Sequence, residues 1–273
     1  MAEEMWKFDW GNVDKTPDPT WFLRFLDESR RFMPQPSRDS ANAMFGFLNV
    51  GEGHRVLDVG CGTGLHSQML AFLVGRNGLV TGVDYSEEMV REARRRAESS
   101  GLRLEYRQGD ANDLEFEDDT FDRVWAASLL QHLEYPKRAV REMVRVLKPG
   151  GLMCSFEHDW GTLLIDADDT LTARIISNLF SDSIRVGGMG RQLPRLFKEV
   201  GLSSVMVTGV PMIMSNLNLL TDVALNPIGH HAVNEGIIEE SSLADLENDL
   251  KRKAEAGNPF WSFMMFRVTG IKQ

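Results

Sequence analysis

Residues 56–64 read Val-Leu-Asp-Val-Gly-Cys-Gly-Thr-Gly, and this stretch decides the fold. A short apolar run typical of a buried strand leads directly into three alternating glycines, and a helical pattern begins at Leu65. Glycine lets the backbone turn tightly and approach a ligand closely at the carboxyl end of a strand. The stretch therefore predicts a strand, a ligand-binding loop and a helix of an α/β protein.

The spacing of the glycines indicates the kind of ligand. A dinucleotide-binding loop places its third glycine five positions after the first. Here Gly64 comes four positions after Gly60, and Leu65 stands where the third glycine would be. The shorter loop suits a ligand without a pyrophosphate. Within the same stretch, Asp58 is expected to order the loop by accepting hydrogen bonds from its amides.

Short apolar runs alternate with helical segments from residue 55 to residue 156. Such alternation predicts a parallel sheet covered on both faces. Strands are expected at 55–59, 79–83, 102–107, 121–126 and 152–156, with further strands within 203–214 and 262–271. Helices are expected at 20–26, 38–48, 170–180 and 193–200, from Ser86 to Gly101, and from Pro136 to the Lys-Pro-Gly-Gly sequence at 148–151. Ser242 and Asp245 form a capping-box pattern ahead of another helix.

Polar residues follow two more strands. Asp84 ends the second strand, where a carboxylate can accept both hydroxyl groups of a ribose. Gly109-Asp110-Ala111 ends the third, where the carboxylate of Asp110 can accept a hydrogen bond from an exocyclic amine such as that of adenine. Parallel strands present these turns and the glycine loop at one edge of the sheet, which indicates a nucleoside-binding site.

The chain resembles the class I S-adenosylmethionine-dependent methyltransferases, in particular their UbiE-like small-molecule branch (methyltransferase type 11). The resemblance covers residues 53–201. It implies a Rossmann-like, doubly wound sheet of seven strands, mostly parallel with an antiparallel last strand, plus a helical lid. It rests on five motifs in the order and spacing of the family: VLDVGCGTG, GVDYSEEM, GDA, FDRVWAASLLQHL and LKPGG.

The same resemblance implies S-adenosyl-L-methionine as the cofactor and assigns roles to residues. The loop Gly60–Gly64 would pack against the methionine part, and Asp84 and Asp110 would bind the ribose and the adenine amine. Tyr85 and Met89 would lie near the adenine, and Ser128 and Leu129 near the amino-acid end. The full set expected to bind the cofactor is Asp58, Gly60, Cys61, Gly62, Gly64, Asp84, Tyr85, Met89, Gly109, Asp110, Ala111, Ser128 and Leu129.

Two places supply candidates for a general base. His132 follows the fourth strand, at a position where small-molecule members of the family often carry a histidine. Glu157, His158 and Asp159 are expected just after the end of the fifth strand, where an acid would pair with His132 and raise its basicity, or His158 would itself be the base. The alternative is that these groups only order the loops, because methyl transfer is chiefly a matter of alignment.

The remaining segments are expected to cover the substrate. The predicted division is an aromatic helical cover at 1–50, a cofactor-binding core at 51–211, a helical insertion at 212–260 and the final strand at 261–273. Trp21 and Trp160 are expected to contact a flat or apolar substrate. The aromatic residues of the N-terminal cover include Trp6, Phe8, Trp10, Trp21, Phe22, Phe25 and Phe32.

Composition narrows the functional class. The 273 residues carry 30 basic and 40 acidic side chains, a net charge of −10 that disfavours binding to nucleic acid. The fourth strand also lacks the Asn/Asp-Pro-Pro-Tyr box of amino-nucleobase methyltransferases. No secretion signal or membrane span is apparent, so a cytoplasmic monomer or homodimer is expected. No metal is expected, because Asp166, Asp168 and Asp169 precede a helix whose positive end accounts for them.

Taken together, the sequence predicts methyl transfer from S-adenosylmethionine to a small, fairly hydrophobic molecule, such as a secondary metabolite. Oxygen is the favoured acceptor atom, with nitrogen or carbon as alternatives. A cyclase or pericyclase that binds the cofactor without transferring its methyl group is the alternative activity.

Overall fold

The computed structural model describes residues 10–29, 35–98 and 100–273, and it contains the predicted alternation of strands and helices. Trp6, Phe8 and Phe32 of the predicted aromatic cover lie outside the described residues. The strands are β1 (Arg55–Val59), β2 (Leu79–Asp84), β3 (Leu104–Gln108), β4 (Phe121–Ala127), β5 (Leu147–Ile165), β6 (Ser203–Met214) and β7 (Trp261–Ile271).

These strands form one seven-stranded sheet in the order β3-β2-β1-β4-β5-β7-β6. The first five strands in this order, from β3 to β5, are parallel to one another. In contrast, β7 is antiparallel to β5. Gly150 N–H donates to Lys272 O (2.8 Å) beside the start of β5, whereas Asp166 N–H donates to Phe260 O (3.0 Å) at its end. The predicted Rossmann-like sheet with an antiparallel last strand is therefore confirmed.

The helices fill the connections between the strands, and no described helix is long and apolar enough to cross a membrane. Short 3-10 turns cover Trp10–Lys15, Gly46–Leu48 and Leu130–His132, and a π-helical segment covers Thr221–Gly229. The α-helices are α1 (Pro19–Ser29), α2 (Arg38–Phe45), α3 (Leu65–Val74), α4 (Glu87–Ala97), α5 (Pro136–Val146), α6 (Thr170–Ser183), α7 (Met189–Glu199), α8 (Leu217–Leu220), α9 (His230–Asn234) and α10 (Glu240–Glu255).

Strand β5 is much longer than predicted. Residues 157–160 were expected to follow its end, but the strand continues to Ile165, so this expectation is wrong. Burial alternates through the extension, with Glu157 and Asp159 buried and His158 and Trp160 half-buried. The inward residues are acidic rather than apolar. The apolar pattern of the sequence therefore stops at Phe156, although the strand continues.

The predicted capping box at Ser242 is also wrong. Helix α10 begins at Glu240, with Glu239 as its N-cap, and Ser242 lies inside the first turn. Ser242 N–H donates to Glu239 O at 3.0 Å, so the backbone is already helical before the serine. Ser86, by contrast, caps α4 as predicted, because its side chain accepts a hydrogen bond from Met89 N–H.

The described chain forms two compact units. The core unit contains the described residues up to Phe156, together with Gln192–Thr208 and Arg267–Gln273. The second unit contains Glu157–Arg191 and Gly209–Phe266. This grouping differs from the predicted division, since the described N-terminal helices join the core unit and residues 157–191 join the predicted insertion.

The core unit is built on a continuous apolar cluster between helices and sheet. Phe45 of α2 and Leu70 of α3 are fully buried against Val56 of β1, and Trp125 of β4 is 1 % exposed. Phe45 and Trp125 meet edge to face at 4.9 Å. Full burial of such side chains contributes about 2–3 kcal/mol each, which fixes the strands whose ends carry the candidate site.

Candidate functional site

The glycine loop joins β1 to α3 through a backbone conformation that favours glycine. Gly60 and Gly64 have φ of +71° and +80°. A Cβ at Gly60 would lie 2.9 Å from Leu129 Cδ1, and a Cβ at Gly64 would overlap the Tyr106 hydroxyl group. The N–H groups of Gly60 and Cys61 donate to Val83 O at 2.8 and 3.0 Å, which ties the loop to β2.

Asp84, the last residue of β2, is bonded directly to this loop. Gly62 N–H donates to its Oδ2 at 2.8 Å, and Ser86 N–H donates to its Oδ1 at 3.0 Å. Burial raises the pKa of Asp84 above its usual value, the two N–H donors act in the opposite direction, and the negative charge of Asp14 raises it further. The structure thus brings together the loop and the carboxylate that the sequence predicted to form one site.

Two other residues of the glycine stretch face the protein interior. The carboxylate of Asp58 is buried and accepts a 2.5 Å hydrogen bond from the Ser67 hydroxyl group on α3. The side chain of Cys61 is buried and packs with Val90 and Tyr106. Cys61 therefore contributes its backbone to the loop surface, while Asp58 fixes the start of α3.

The end of β3 is joined to the same edge. Gly109 N–H donates to Asp84 O at 2.9 Å. The exposed carboxylate of Asp110 accepts hydrogen bonds from Asn112 N–H at 2.8 Å and from the Asn112 amide at 3.1 Å. Ala111 is buried beside it. Asp110 is accordingly held in a fixed orientation within an exposed turn.

The residues predicted near the adenine differ in exposure. Tyr85 is 54 % exposed, so its ring is accessible to a ligand. Met89 is 2 % exposed and packs with Val13 and Phe22, which belong to the N-terminal segment. The sequence alone gave no indication that this segment covers Met89.

At the end of β4, Ser128 has a φ of +54°, which is unusual for a residue other than glycine. Its N–H donates to Phe156 O at 2.9 Å. The next residue, Leu129, lies against Gly60, as the Cβ distance above shows. The structure therefore places Leu129 beside the glycine loop and ties Ser128 to β5.

His132 ends the short turn that follows. Its N–H donates to Leu129 O at 3.0 Å, and its Nε2 lies 3.1 Å from the amide nitrogen of the buried Gln131. The ring of Trp10 packs beside it, with 6.0 Å between the ring centroids. Sequence reasoning missed Trp10 as a neighbour of the candidate base.

The acidic residues of the β5 extension lie in the second unit. Glu157 and Asp159 are 0 % and 1 % exposed. Arg191 binds both carboxylate oxygens of Asp159, through Nε to Oδ2 at 2.5 Å and through Nη2 to Oδ1. This contact raises the pKa of the Arg191 guanidinium. No sequence pattern singled out Arg191, a lone cation in the first turn of α7.

An aromatic cluster lies on the opposite face of the β5 extension. The rings of His158 and Trp160 stack with centroids 4.4 Å apart and an interplanar angle of 8°. Phe263 of β7 lies 4.5 Å from Trp160, and Phe180 of α6 meets it edge-on at 4.9 Å. Trp21, the other predicted substrate residue, belongs to the core unit and stacks on Phe25 at 5.2 Å.

The aspartates before α6 have structural partners. Asp169 caps α6 by accepting hydrogen bonds from the N–H groups of Leu171 and Thr172, and the Thr172 contacts lower the pKa of Asp169 most. Asp168 pairs with Arg252 and Lys253. Within the part of the chain that the structure describes, no group of histidine, cysteine or acidic residues is arranged to hold a metal ion.

Comparison with known proteins assigns the family. Residues 56–151 match the family model described as a methyltransferase domain. The chain is 31 % identical over 204 residues to methyltransferase GfsG from Streptomyces halstedii, covering 71 % of this chain and 66 % of that protein. It is 40 % identical over 107 residues to demethylmenaquinone methyltransferase from Desulfitobacterium hafniense (strain Y51), covering 38 % and 42 %. The matched part thus spans 66 % of the first of these relatives and 42 % of the second.

Solved structures share the fold. The chain matches YcgJ from Bacillus subtilis with a TM-score of 0.62 and 20 % identity, covering 87 % of this chain and 99 % of that one. It matches the [4+2]-cyclase SpnF with a TM-score of 0.52 and 22 % identity, covering 86 % and 81 %.

The glycine loop, the carboxylate at the end of β2 and the sheet order are the arrangement typical of α/β folds that bind nucleotides at the carboxyl ends of their strands. The family model and the named relatives specify this further: the chain belongs to the class I S-adenosylmethionine-dependent methyltransferases. Its cofactor is S-adenosylmethionine.

Proposed function

We propose that the chain transfers the methyl group of S-adenosylmethionine to a small, fairly hydrophobic acceptor, with oxygen favoured over nitrogen or carbon. The observation that carries this proposal is the hydrogen bond between Gly62 N–H and Asp84 Oδ2, because it joins the glycine loop to the half-buried carboxylate at the end of β2. GfsG and demethylmenaquinone methyltransferase are named as methyltransferases, which supports methyl transfer as the chemistry.

The residues of the core unit fit the cofactor. The carboxylate of Asp84 would accept the ribose hydroxyl groups, and Asp110 would accept the adenine amine, with the exposed ring of Tyr85 beside it. The absence of a Cβ at Gly60 and Gly64 keeps the loop open to close approach by the methionine part. The bound cofactor supplies a methyl group on a positively charged sulfur.

The aromatic cluster supports a flat, apolar acceptor. Trp160 is half-buried and is held by Phe180 and Phe263, so it presents a rigid aromatic surface. Such surfaces bind apolar ring systems at low entropic cost, since few side-chain torsions are lost. We assign Trp160 this role, with Trp21 as the corresponding aromatic residue of the core unit.

We assign the base to His132. An acceptor hydroxyl group becomes a better nucleophile when a base removes its proton, and a neutral imidazole does this near pH 7. The buried Gln131 and the ring of Trp10 orient the imidazole. Glu157 and His158 are the alternatives, while Asp159 is bound on both oxygens by Arg191 and is assigned a positioning role.

The direct experiment incubates the protein with methyl-labelled cofactor and a panel of small phenols, quinols and amines. Methyl transfer releases S-adenosylhomocysteine and labels the acceptor. A protein that binds the cofactor but yields neither product across the panel would contradict the proposal. The alternative activity, a cyclase, predicts a rearranged substrate of unchanged mass with no S-adenosylhomocysteine.

The same assay tests the base. His132→Ala is expected to lower kcat by about tenfold to a thousandfold while the cofactor Kd changes less than about twofold. His230→Ala is the matched control, because His230 is exposed on α9 of the second unit. Wild-type turnover in His132→Ala would remove His132 from the mechanism.

A further inference from the structure

The 3-10 turn Trp10–Lys15 contacts two parts of the core unit that the proposed function treats separately. One end of the turn, Trp10, packs on His132. Near the other end, Asp14 binds the amino terminus of α4, directly after the Asp84 turn. No motif in the sequence marks either residue.

Asp14 adds to the cap that Ser86 forms on α4. Its Oδ1 accepts a hydrogen bond from the Ser86 hydroxyl group at 2.5 Å, and its Oδ2 accepts one from Glu87 N–H at 2.7 Å. A longer contact of 3.3 Å joins Oδ1 to Glu88 N–H. The first N–H groups of a helix lack partners within it and favour negative charge, so a carboxylate here is stabilising.

This cap is linked to the ribose-binding carboxylate. The hydroxyl group of Ser86 binds Asp14, while Ser86 N–H donates to Asp84 Oδ1 at 3.0 Å. Asp14 thereby orders Ser86, and Ser86 in turn orders the carboxylate of Asp84. The contact is anchored by apolar packing, because the neighbouring Val13 is 3 % exposed and packs with Phe22 and Met89.

Trp10 is held by the aromatic residues of α1. Phe22 and Phe25 lie edge-on to its ring at 4.8 and 5.7 Å. These contacts fix the ring of Trp10 beside the ring of His132.

We propose that the turn Trp10–Lys15 is a positioning element of the active site, in which Asp14 orders the ribose-binding turn and Trp10 orders His132. The inference rests on the proposed roles of Asp84 and His132. It makes the two ends of one six-residue turn act on different steps, cofactor binding at one end and chemistry at the other.

The first test measures binding of S-adenosylhomocysteine by calorimetry. Asp14→Ala is expected to raise its Kd about five- to tenfold, the equivalent of one lost helix cap, and Asp14→Asn less, because one acceptor oxygen remains. Asp18→Asn is the matched control, since it removes the same charge from an aspartate whose side-chain partners, among the described residues, are Thr20 and Arg24 of α1. Wild-type affinity in both Asp14 variants would overturn the inference.

The second test separates the Trp10 end. Trp10→Leu is expected to leave the Kd within about twofold, to lower kcat at saturating cofactor about fivefold or more, and to shift the His132 ring signals in an NMR pH titration. Trp10→Phe should restore most of kcat. If Trp10→Leu lowers affinity and kcat together in proportion to a lower melting temperature, the role is only structural and the inference is wrong.

Asp84→Ala separates a failure of the proposed ribose site from a failure of the proposed role of Asp14. If this variant binds S-adenosylhomocysteine as the wild type does, the proposed ribose site is wrong. If it binds weakly but both Asp14 variants bind normally, the ribose site stands and the positioning role of Asp14 is wrong. The NMR titration of His132 needs no methyl acceptor, so it remains informative when no substrate has been identified.

Discussion

The end of β2 in the core unit carries the half-buried carboxylate of Asp84, whereas the β5 extension in the second unit carries the buried carboxylate of Asp159, and the two acids have different partners. Among the described residues, the hydrogen-bond donors to Asp84 are backbone N–H groups, and burial raises its pKa. Asp159 is bound on both oxygens by the guanidinium of Arg191. A carboxylate without a cationic partner retains the capacity to bind ligand hydroxyl groups, whereas a paired one stabilises the fold. The comparison shows that burial of an acid does not by itself indicate a site.

The largest expected effect concerns the rigid backbone of the cofactor edge. Gly64→Ala combines a left-handed φ of +80° with overlap between the new Cβ and the Tyr106 hydroxyl group. The variant should lose about 3 kcal/mol of unfolding free energy, from about 1–2 kcal/mol of backbone strain plus the cost of overpacking. Urea denaturation measures the loss.

Gly53→Ala is the matched control for this variant. Gly53 has a φ of +83°, but a Cβ there meets no atom within 4 Å. It should therefore cost only the strain, about 1–2 kcal/mol. Equal losses of unfolding free energy in Gly64→Ala and Gly53→Ala would show that Tyr106 leaves room for a side chain at position 64.

The next effect tests the paired carboxylate. Arg191→Leu leaves Asp159 buried without its cation and should lower the unfolding free energy by about 2–3 kcal/mol, less than for a fully buried pair because Arg191 is itself 56 % exposed. The double variant Asp159→Asn/Arg191→Leu should recover part of this loss. Arg185→Leu, at an exposed arginine on the loop before α7, should change stability by less than about 0.5 kcal/mol.

Sequence and structure agree where backbone geometry dictates the residue. The loop glycines adopt positive φ angles and Ser86 caps a helix, so local pattern alone predicted the sheet and the strand end that carries Asp84. The length of β5 was not predictable in this way. Its inward residues Glu157 and Asp159 are polar, and Asp159 is balanced by Arg191, which is 32 positions away in sequence.

The contacts of the N-terminal segment with α4 and His132 were also not predictable, because they join residues far apart in the sequence. Asp14 caps a helix that begins 73 residues later, and no local spacing rule links the two. Trp10 was one of several aromatic residues in the predicted cover, and nothing in the sequence indicated that its ring lies beside His132. Contacts of this kind depend on the folded chain rather than on local pattern.

A third prediction compares Asp84 and Asp159 in the same assay, binding of S-adenosylhomocysteine. Asp84→Ala should weaken binding of S-adenosylhomocysteine tenfold or more, about 1.4 kcal/mol, because both ribose hydroxyl groups lose their acceptor. Asp159→Asn keeps the shape of the side chain and should leave the Kd within about twofold. Calorimetry measures the Kd of both variants. Equal losses of affinity would show that Asp84 and Asp159 do not differ in their contribution to cofactor binding.

The smallest expected effect is a pH dependence that only one of the two carboxylates should produce. The ribose hydroxyl groups donate to the ionised form of Asp84, while burial and the nearby charge of Asp14 raise the pKa of that carboxyl in the free protein. Binding therefore releases protons around the raised pKa of Asp84, so affinity for S-adenosylhomocysteine should rise with pH through that pKa and become constant above it. Calorimetry between about pH 5 and pH 8, in buffers of different ionisation enthalpy, measures both the slope and the proton release. The slope should vanish in Asp84→Ala and persist in Asp159→Asn; a slope that survives in Asp84→Ala would assign the titration to another group.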